Sequence, residues 1–209
     1  FFYVNKHGTI YIIKLIVRMI SMPYSVELLF DEETENKVYG IWDELYNKGL
    51  SEYMKVSGSK PHVTLAIYKT VDYPTFESRV EHFFKGSESF KVNFCSIGVF
   101  LGESTTVFYQ PVVDDNLISV NRNFFNAFRD YDDKAWDYYK PGNWIPHMTM
   151  SLGTNFEKGM DIIRLLGASF TPFEATVEGV VIVKFRPVHH MLQIDLKQEE
   201  GGYNENTCD

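Results

Sequence analysis

One short pattern occurs twice in this chain, at the same place within two similar runs of elements. Pro61-His62-Val63-Thr64 and Pro146-His147-Met148-Thr149 each open a β-prone apolar stretch, and their histidines stand 85 residues apart. Ahead of the first lies YSVELLF (Tyr24 to Phe30), which reads as a strand, then a helix capped by Asp31 with Val38, Ile41, Trp42, Leu45 and Tyr46 on one stripe. Behind it come a second helix carrying Phe76, Val80, Phe83 and Phe84, and an alternating strand with Phe90, Val92 and Phe94. The second half repeats the order. Thr105 to Val113 reads as a strand, Leu117, Val120, Phe124 and Phe128 mark a helix, and Phe156, Met160 and Ile163 mark another beyond the second motif. Two strong strands close the chain, joined at Arg186-Pro187-Val188. Elements that recur in order at one offset indicate an internal duplication. With 8 Pro and 6 His in 209 residues, shuffling would produce roughly 0.01 copies of such a pattern.

The spacing has a direct consequence. Residues i and i+2 of a strand share a face, so His62 projects with Thr64 and His147 with Thr149. Val63, Leu65, Met148 and Met150 point the other way and suit a core. Each proline, placed at a strand start, costs no ladder hydrogen bond. Halves packed about a pseudo-twofold axis bring two imidazoles and two hydroxyls to one cleft. That set fits metal-free phosphoryl chemistry: a neutral imidazole to take a proton, a protonated one to return a proton, and neutral donors for phosphate oxygens.

Charge and cysteine usage narrow the classes. The net charge of −8 makes the surface a poor general binder of duplex nucleic acid, while leaving room for a small anion in a local pocket. Cys95 and Cys208 form no disulfide framework, and no Cys/His cluster suggests zinc, so a reducing cytoplasmic setting is expected. The apolar run between Thr9 and Ile20 is short and interrupted by Lys14 and Arg18, so no membrane span is expected. Residues 1–21 are read as an N-terminal extension outside the duplicated architecture: an extra strand, an amphipathic leader, or sequence ahead of a start at Met19 or Met22. Residues 22–198 form one domain in this reading, and 199–209 a polar C-terminal tail. A monomer is expected.

Other side chains were weighed as contacts. Trp144, just before the second motif, is the first candidate to stack on a nucleobase, followed by Tyr109, Tyr68 and the Tyr138–Tyr139 pair, although core packing accounts for any single one of them. Lys60, Lys69, Lys140, Arg122 and Arg186 are candidate phosphate contacts. His189 and His190 are adjacent, face opposite sides of a strand, and cannot act as a pair. A metal site on His62 and His147 lacks a carboxylate on either motif strand, so no metal and no cofactor are expected.

On the two motifs and the element order from Tyr24 to Leu196, the chain resembles the 2H phosphoesterases, the RNA 2′,3′-cyclic phosphodiesterase or 2′-5′ RNA ligase-like superfamily. The resemblance implies an α+β fold, duplicated and bilobal, with two small, mostly antiparallel sheets flanked by helices and an active cleft between the lobes. It implies that His62 and His147 act as acid and base and that Thr64 and Thr149 bind phosphate. The implied function is metal-independent hydrolysis of a 2′,3′-cyclic phosphate on a nucleotide or single-stranded RNA end. Alternatives are a non-catalytic nucleotide or RNA-end binding protein, 2′-5′ RNA ligase activity, and a metallohydrolase. The motif is symmetric and does not say which histidine is the base.

Overall fold

Antiparallel pairing links the seven strands among the described residues into one network. The structure, a computed structural model, describes residues 22–198. The proposed extension, the C-terminal tail and Cys208 lie outside the described residues. The strands are β1 (Tyr24–Phe30), β2 (His62–Tyr68), β3 (Phe90–Phe100), β4 (Thr105–Pro111), β5 (Met148–Thr154), β6 (Phe173–Lys184) and β7 (His189–Asp195). The helices are α1 (Glu32–Asn47), α2 (Tyr53–Val56), α3 (Tyr73–Phe84), α4 (Asp115–Ala127) and α5 (Phe156–Ser169).

The order is β1-β2-β5-β4-β3-β6-β7, and β1 also pairs with β6. The expected α+β fold with antiparallel strands and helices is observed. The expected division into two separate sheets is not, because the third strand of each half crosses over. β3 of the first half pairs with β4 of the second, and β6 of the second half pairs along β1 of the first. β6 is long enough to hold β3 beside Phe173–Val177 and β7 beside Gly179–Lys184. A strand given to the neighbouring half satisfies backbone groups that an edge would leave open.

Alternation along β1 sorts its side chains onto two faces. Val26, Leu28 and Phe30 enter the main core, together with Val63, Leu65, Met148 and Met150. Leu29 belongs instead to a smaller apolar cluster with Val181 and Val183, against which Phe185 and Val188 pack. The main core is rich in aromatic edge-to-face contacts, with Phe76 touching Tyr68, Phe128 and Tyr131 at centroid distances of 5.2, 5.4 and 5.3 Å.

The helices begin where the caps require. Asp31 Oδ1 accepts from the Thr34 amide at 2.8 Å, Asp114 Oδ1 from the Leu117 amide at 2.8 Å, and Asn155 Oδ1 from the Lys158 amide at 2.9 Å. The stripe on α1 buries Val38, Trp42 and Leu45 as its spacing predicts. On α5 the buried line is Gly159, Ile162 and Leu166, rotated from the expected Phe156, Met160 and Ile163. Gly159 decides this: a Cβ there would lie 2.5 Å from Thr105 Cγ2, so the bare face of the helix sits directly on β4.

β2 and β5 share a single ladder pair, Val63 with Met148. Two indoles complete the junction. Trp42 Nε1 donates to the Thr149 carbonyl at 3.1 Å, and Trp144 Nε1 donates to the Thr64 carbonyl at 3.0 Å. Each tryptophan comes from the half opposite to the strand it holds. Replacing Trp42, 2% exposed, by Phe keeps an aromatic body but orphans a carbonyl. The expected cost is about 1–3 kcal/mol, read as a lower urea midpoint at unchanged m-value.

Candidate functional site

Both motifs meet at the β2–β5 junction. With Val63 opposite Met148 in an antiparallel pair, His62 stands level with Thr149 and Thr64 with His147. The two histidines are diagonal neighbours, with a nominal Cβ separation of about 7 Å. That gap suits a phosphoryl group held between two imidazoles. All four side chains line one cavity of about 600 Å³.

The imidazoles are oriented alike. His62 Nδ1 lies 2.6 Å from the Lys60 carbonyl, and His147 Nδ1 lies 2.7 Å from the Ile145 carbonyl. A carbonyl only accepts, so Nδ1 carries the proton in each ring and Nε2 is left for chemistry. In both cases the anchor is the residue two positions before the histidine, ahead of the motif proline, so the local sequence sets the tautomer.

The surroundings of the two rings differ. Phe100 and Phe108 pack on His147 at centroid distances of 5.0 and 5.1 Å. Burial among them pushes the His147 pKa below the usual 6.5; the Ile145 carbonyl opposes this and the charge of His62 adds to it. Phe108 is seated by Gly98, its partner in the β3–β4 register, where a Cβ would fall 2.2 Å from the ring. Beside His62 stands a carboxylate. Glu27, 6% exposed, places Oε2 at 3.6 Å from His62 Nδ1 while its Oε1 accepts from Ser25 Oγ at 2.5 Å.

Several expected contacts fall elsewhere. Tyr68 is 0% exposed and Tyr109 is 3% exposed, so neither can stack on a ligand. Tyr68 packs among Phe76, Phe125 and Tyr131, and Tyr109 against Phe170 and Phe173. Tyr109 alternates with Phe108 and so faces the core, whereas Tyr68 would share the His62–Thr64 face by strict alternation; the β1–β2 register shifts between Val26 and Glu27, and beyond that shift Ile67 lines the cavity and Tyr68 turns into the core. Trp144 stands behind the cavity, with its N–H spent on the Thr64 carbonyl. Lys60 donates to Gln193 at 2.9 Å and Lys140 pairs with Asp137 at 2.7 Å. Arg186 does line the cavity, in the β6–β7 turn, at φ 74°.

The aromatic wall joins the expected Tyr138–Tyr139 pair to Trp136, which sequence reasoning passed over. Trp136 lines the cavity and meets Phe185 edge-on at 6.3 Å, with Tyr138 and Tyr139 beside it. The signal was present in the AWDYYKPGNW loop, but its four rings, spread from Trp136 to Trp144, gave no periodicity with which to rank them. Glu27 was hidden in a strand that reads as apolar. Among the described residues no group of three His, Cys, Asp or Glu side chains is placed to hold a metal ion, and no helix is long and apolar enough to cross a membrane.

The His147 environment yields a measurable expectation. In an NMR titration of the imidazole resonances, His147 should reach its midpoint below pH 6.5 and be neutral at pH 7. Gly98→Ala should move Phe108 and relax that depression, carrying the midpoint back toward 6.5.

Comparison with known proteins bears on the fold and the family. No curated protein matches the chain by sequence. Among solved structures, E. coli LigT in its apo form aligns with a TM-score of 0.57 at 12% identity, covering 85% of this chain and 99% of LigT. LigT complexed with 3′-AMP aligns with a TM-score of 0.51, also at 12% identity and over 85% and 99% of the two chains. Kluyveromyces marxianus Usb1 aligns with a TM-score of 0.51 at 9% identity, over 84% of this chain and 99% of Usb1. Likeness at such identities shows a shared fold. The family model described as the 2′-5′ RNA ligase superfamily matches residues 34–188, both motifs included. The chain therefore belongs to the 2′-5′ RNA ligase superfamily, the 2H phosphoesterases.

Proposed function

We propose that this protein hydrolyses a 2′,3′-cyclic phosphate on a nucleotide or single-stranded RNA end by metal-independent, two-histidine acid/base catalysis. The observation that carries the reading is the meeting of two Nδ1-anchored imidazoles and two threonines in one cavity. A ring whose Nδ1–H is committed to a carbonyl presents Nε2 either as a base or, when protonated, as an acid. The phosphate sits between the two Nε2 atoms, and the Thr64 and Thr149 hydroxyls donate to its non-bridging oxygens. One neutral imidazole takes a proton from water as the water oxygen bonds to phosphorus. The other, an imidazolium, gives its proton to the ribose oxygen as the P–O bond of the ring breaks. The product is a phosphomonoester, and proton exchange with solvent resets both rings.

The aromatic wall of Trp136 and Tyr138 supports a nucleobase next to that phosphate. The 3′-AMP complex of LigT supports a nucleotide as the ligand class for this cavity too. The description of the superfamily favours a second reading, RNA 2′-5′ ligation, which runs the same phosphoryl chemistry in the opposite sense.

The test is turnover of the nucleoside 2′,3′-cyclic monophosphates in the presence of EDTA. Wild type should release nucleoside monophosphate. His62→Ala and His147→Ala should each lower kcat by about 10²–10⁴-fold. Binding without turnover would turn the reading into that of a nucleotide-binding protein. Activity lost to EDTA and restored by a divalent ion would overturn the metal-independent mechanism.

A further inference from the structure

We propose that Glu27 is a positioning residue that divides the labour between the two histidines, making His62 the general acid and leaving His147 as the general base. The inference rests on the cyclic-phosphate reading above and assigns roles that the symmetric motif leaves open.

The duplication supplies its own control. In the β1–β2 register Glu27 stands opposite Thr64. In the β4–β5 register Phe108 stands opposite Thr149. The same place beside the motif therefore holds a carboxylate in one half and a phenyl ring in the other. The motifs themselves are matched: the preceding proline, the Nδ1 anchor two residues back, the threonine two residues on.

The consequence is electrostatic. Glu27 Oε2 faces the proton-bearing Nδ1 of His62 at 3.6 Å, on the ring edge remote from Nε2. The carboxylate thus stabilises the imidazolium without occupying the substrate's place. At 6% exposure it is little screened by water and salt. Its second oxygen is held by the Ser25 hydroxyl at 2.5 Å, which fixes the group against β1. On the other side, the rings of Phe100 and Phe108 strip solvent from His147 and favour the neutral form that a base needs. A carboxylate beside one ring and phenyl rings around the other fit the pair to different parts, acid and base. From β7, His190 feels Glu27, Lys60 and His62; Lys60 keeps its charge while donating to the neutral Gln193 amide at 2.9 Å, so Glu27 is the anionic group the structure places against His62. In the step itself, water gives its proton to His147 Nε2 as the new P–O bond forms, and His62 Nε2–H gives its proton to the departing ribose oxygen.

A leaving group that needs no proton separates the roles. The full-length protein is assayed with EDTA on two probes, cytidine 2′,3′-cyclic monophosphate and thymidine 3′-(4-nitrophenyl phosphate), whose nitrophenolate departs unprotonated. Glu27→Gln keeps the size and the Ser25 hydrogen bond. It should lower kcat on the cyclic probe by at least about tenfold with little change in KM, and spare the nitrophenyl ester. Glu27→Asp should restore part of that loss. Independently of any Glu27 variant, His62→Ala should lose the cyclic probe yet keep most of the ester activity, whereas His147→Ala should lose both. Equal losses on both probes for Glu27→Gln, or none on either, would overturn the role of Glu27. Ester activity kept by His147→Ala and lost by His62→Ala would reverse the assignment. A wild type inactive on the cyclic probe would overturn the cyclic-phosphate reading and this proposal with it. Wild-type activity with the wrong variant pattern would overturn the proposal alone.

Discussion

The whole site depends on a junction where regular hydrogen bonding nearly stops. β2 and β5 touch through Val63 and Met148 and then separate. Full pairing would hold the strands shut, and complete separation would leave carbonyls unsatisfied next to a cavity. The molecule settles between these with two indole N–H groups, one from each half, donating to the Thr64 and Thr149 carbonyls. The reacting side chains are thus carried by strands rather than loops, on backbone whose hydrogen bonding is completed by the buried Trp42 and the partly buried Trp144. Asn121 adds to the same support from α4, donating to the Leu65 and Tyr139 carbonyls at 3.3 and 3.0 Å. Positioning of this kind is what acid/base chemistry requires, since a small displacement of a proton donor costs a large factor in rate.

Strand exchange between the halves explains why the junction stays in register. β6 lies along β1, and β3 lies along β4, so each motif strand is one strand away from an element of the opposite half. Neither half has a sheet of its own to close. The cavity is therefore bounded on one side by the β1–β2 hydrogen-bonded pair with the β6–β7 turn, and on the other by β4, β5 and the end of β3. Duplicated motifs on such a frame start out equivalent. They stop being equivalent through their neighbours, a carboxylate beside His62 and two phenyl rings around His147.

Much of this was legible in the sequence. The duplicated PHxT pattern, the alternation that turns Val63, Leu65, Met148 and Met150 inward, and the cap at Asp31 all depend on residues within a few positions of one another. Three features were not legible. Tyr68 and Tyr109 read as ring-bearing strand residues near the motifs, but Tyr109 alternates with Phe108, whose ring packs on His147, and Tyr68 lies past a shift in the β1–β2 register that reverses which face it takes. The stripe of α5 was rotated because Gly159 fits against Thr105, a residue 54 positions away in the chain. The continuous sheet was missed because local patterns define strands and say little about which strand a crossing element will join.

The sequence by itself determined that this chain is a duplicated α+β protein with two histidine–threonine pairs on matching strands. This follows from short-range geometry: the recurrence of elements at one offset and the two-residue period of a strand. Only the tertiary structure decided that the pairs face one another across a single ladder contact, that Trp144 braces a strand instead of meeting a ligand, and that Glu27 and Phe108 occupy matching places. Those facts depend on register between strands far apart in the chain. A slip of one residue would turn each side chain to the opposite face, and register is set by the sum of the packing rather than by any local run of residues.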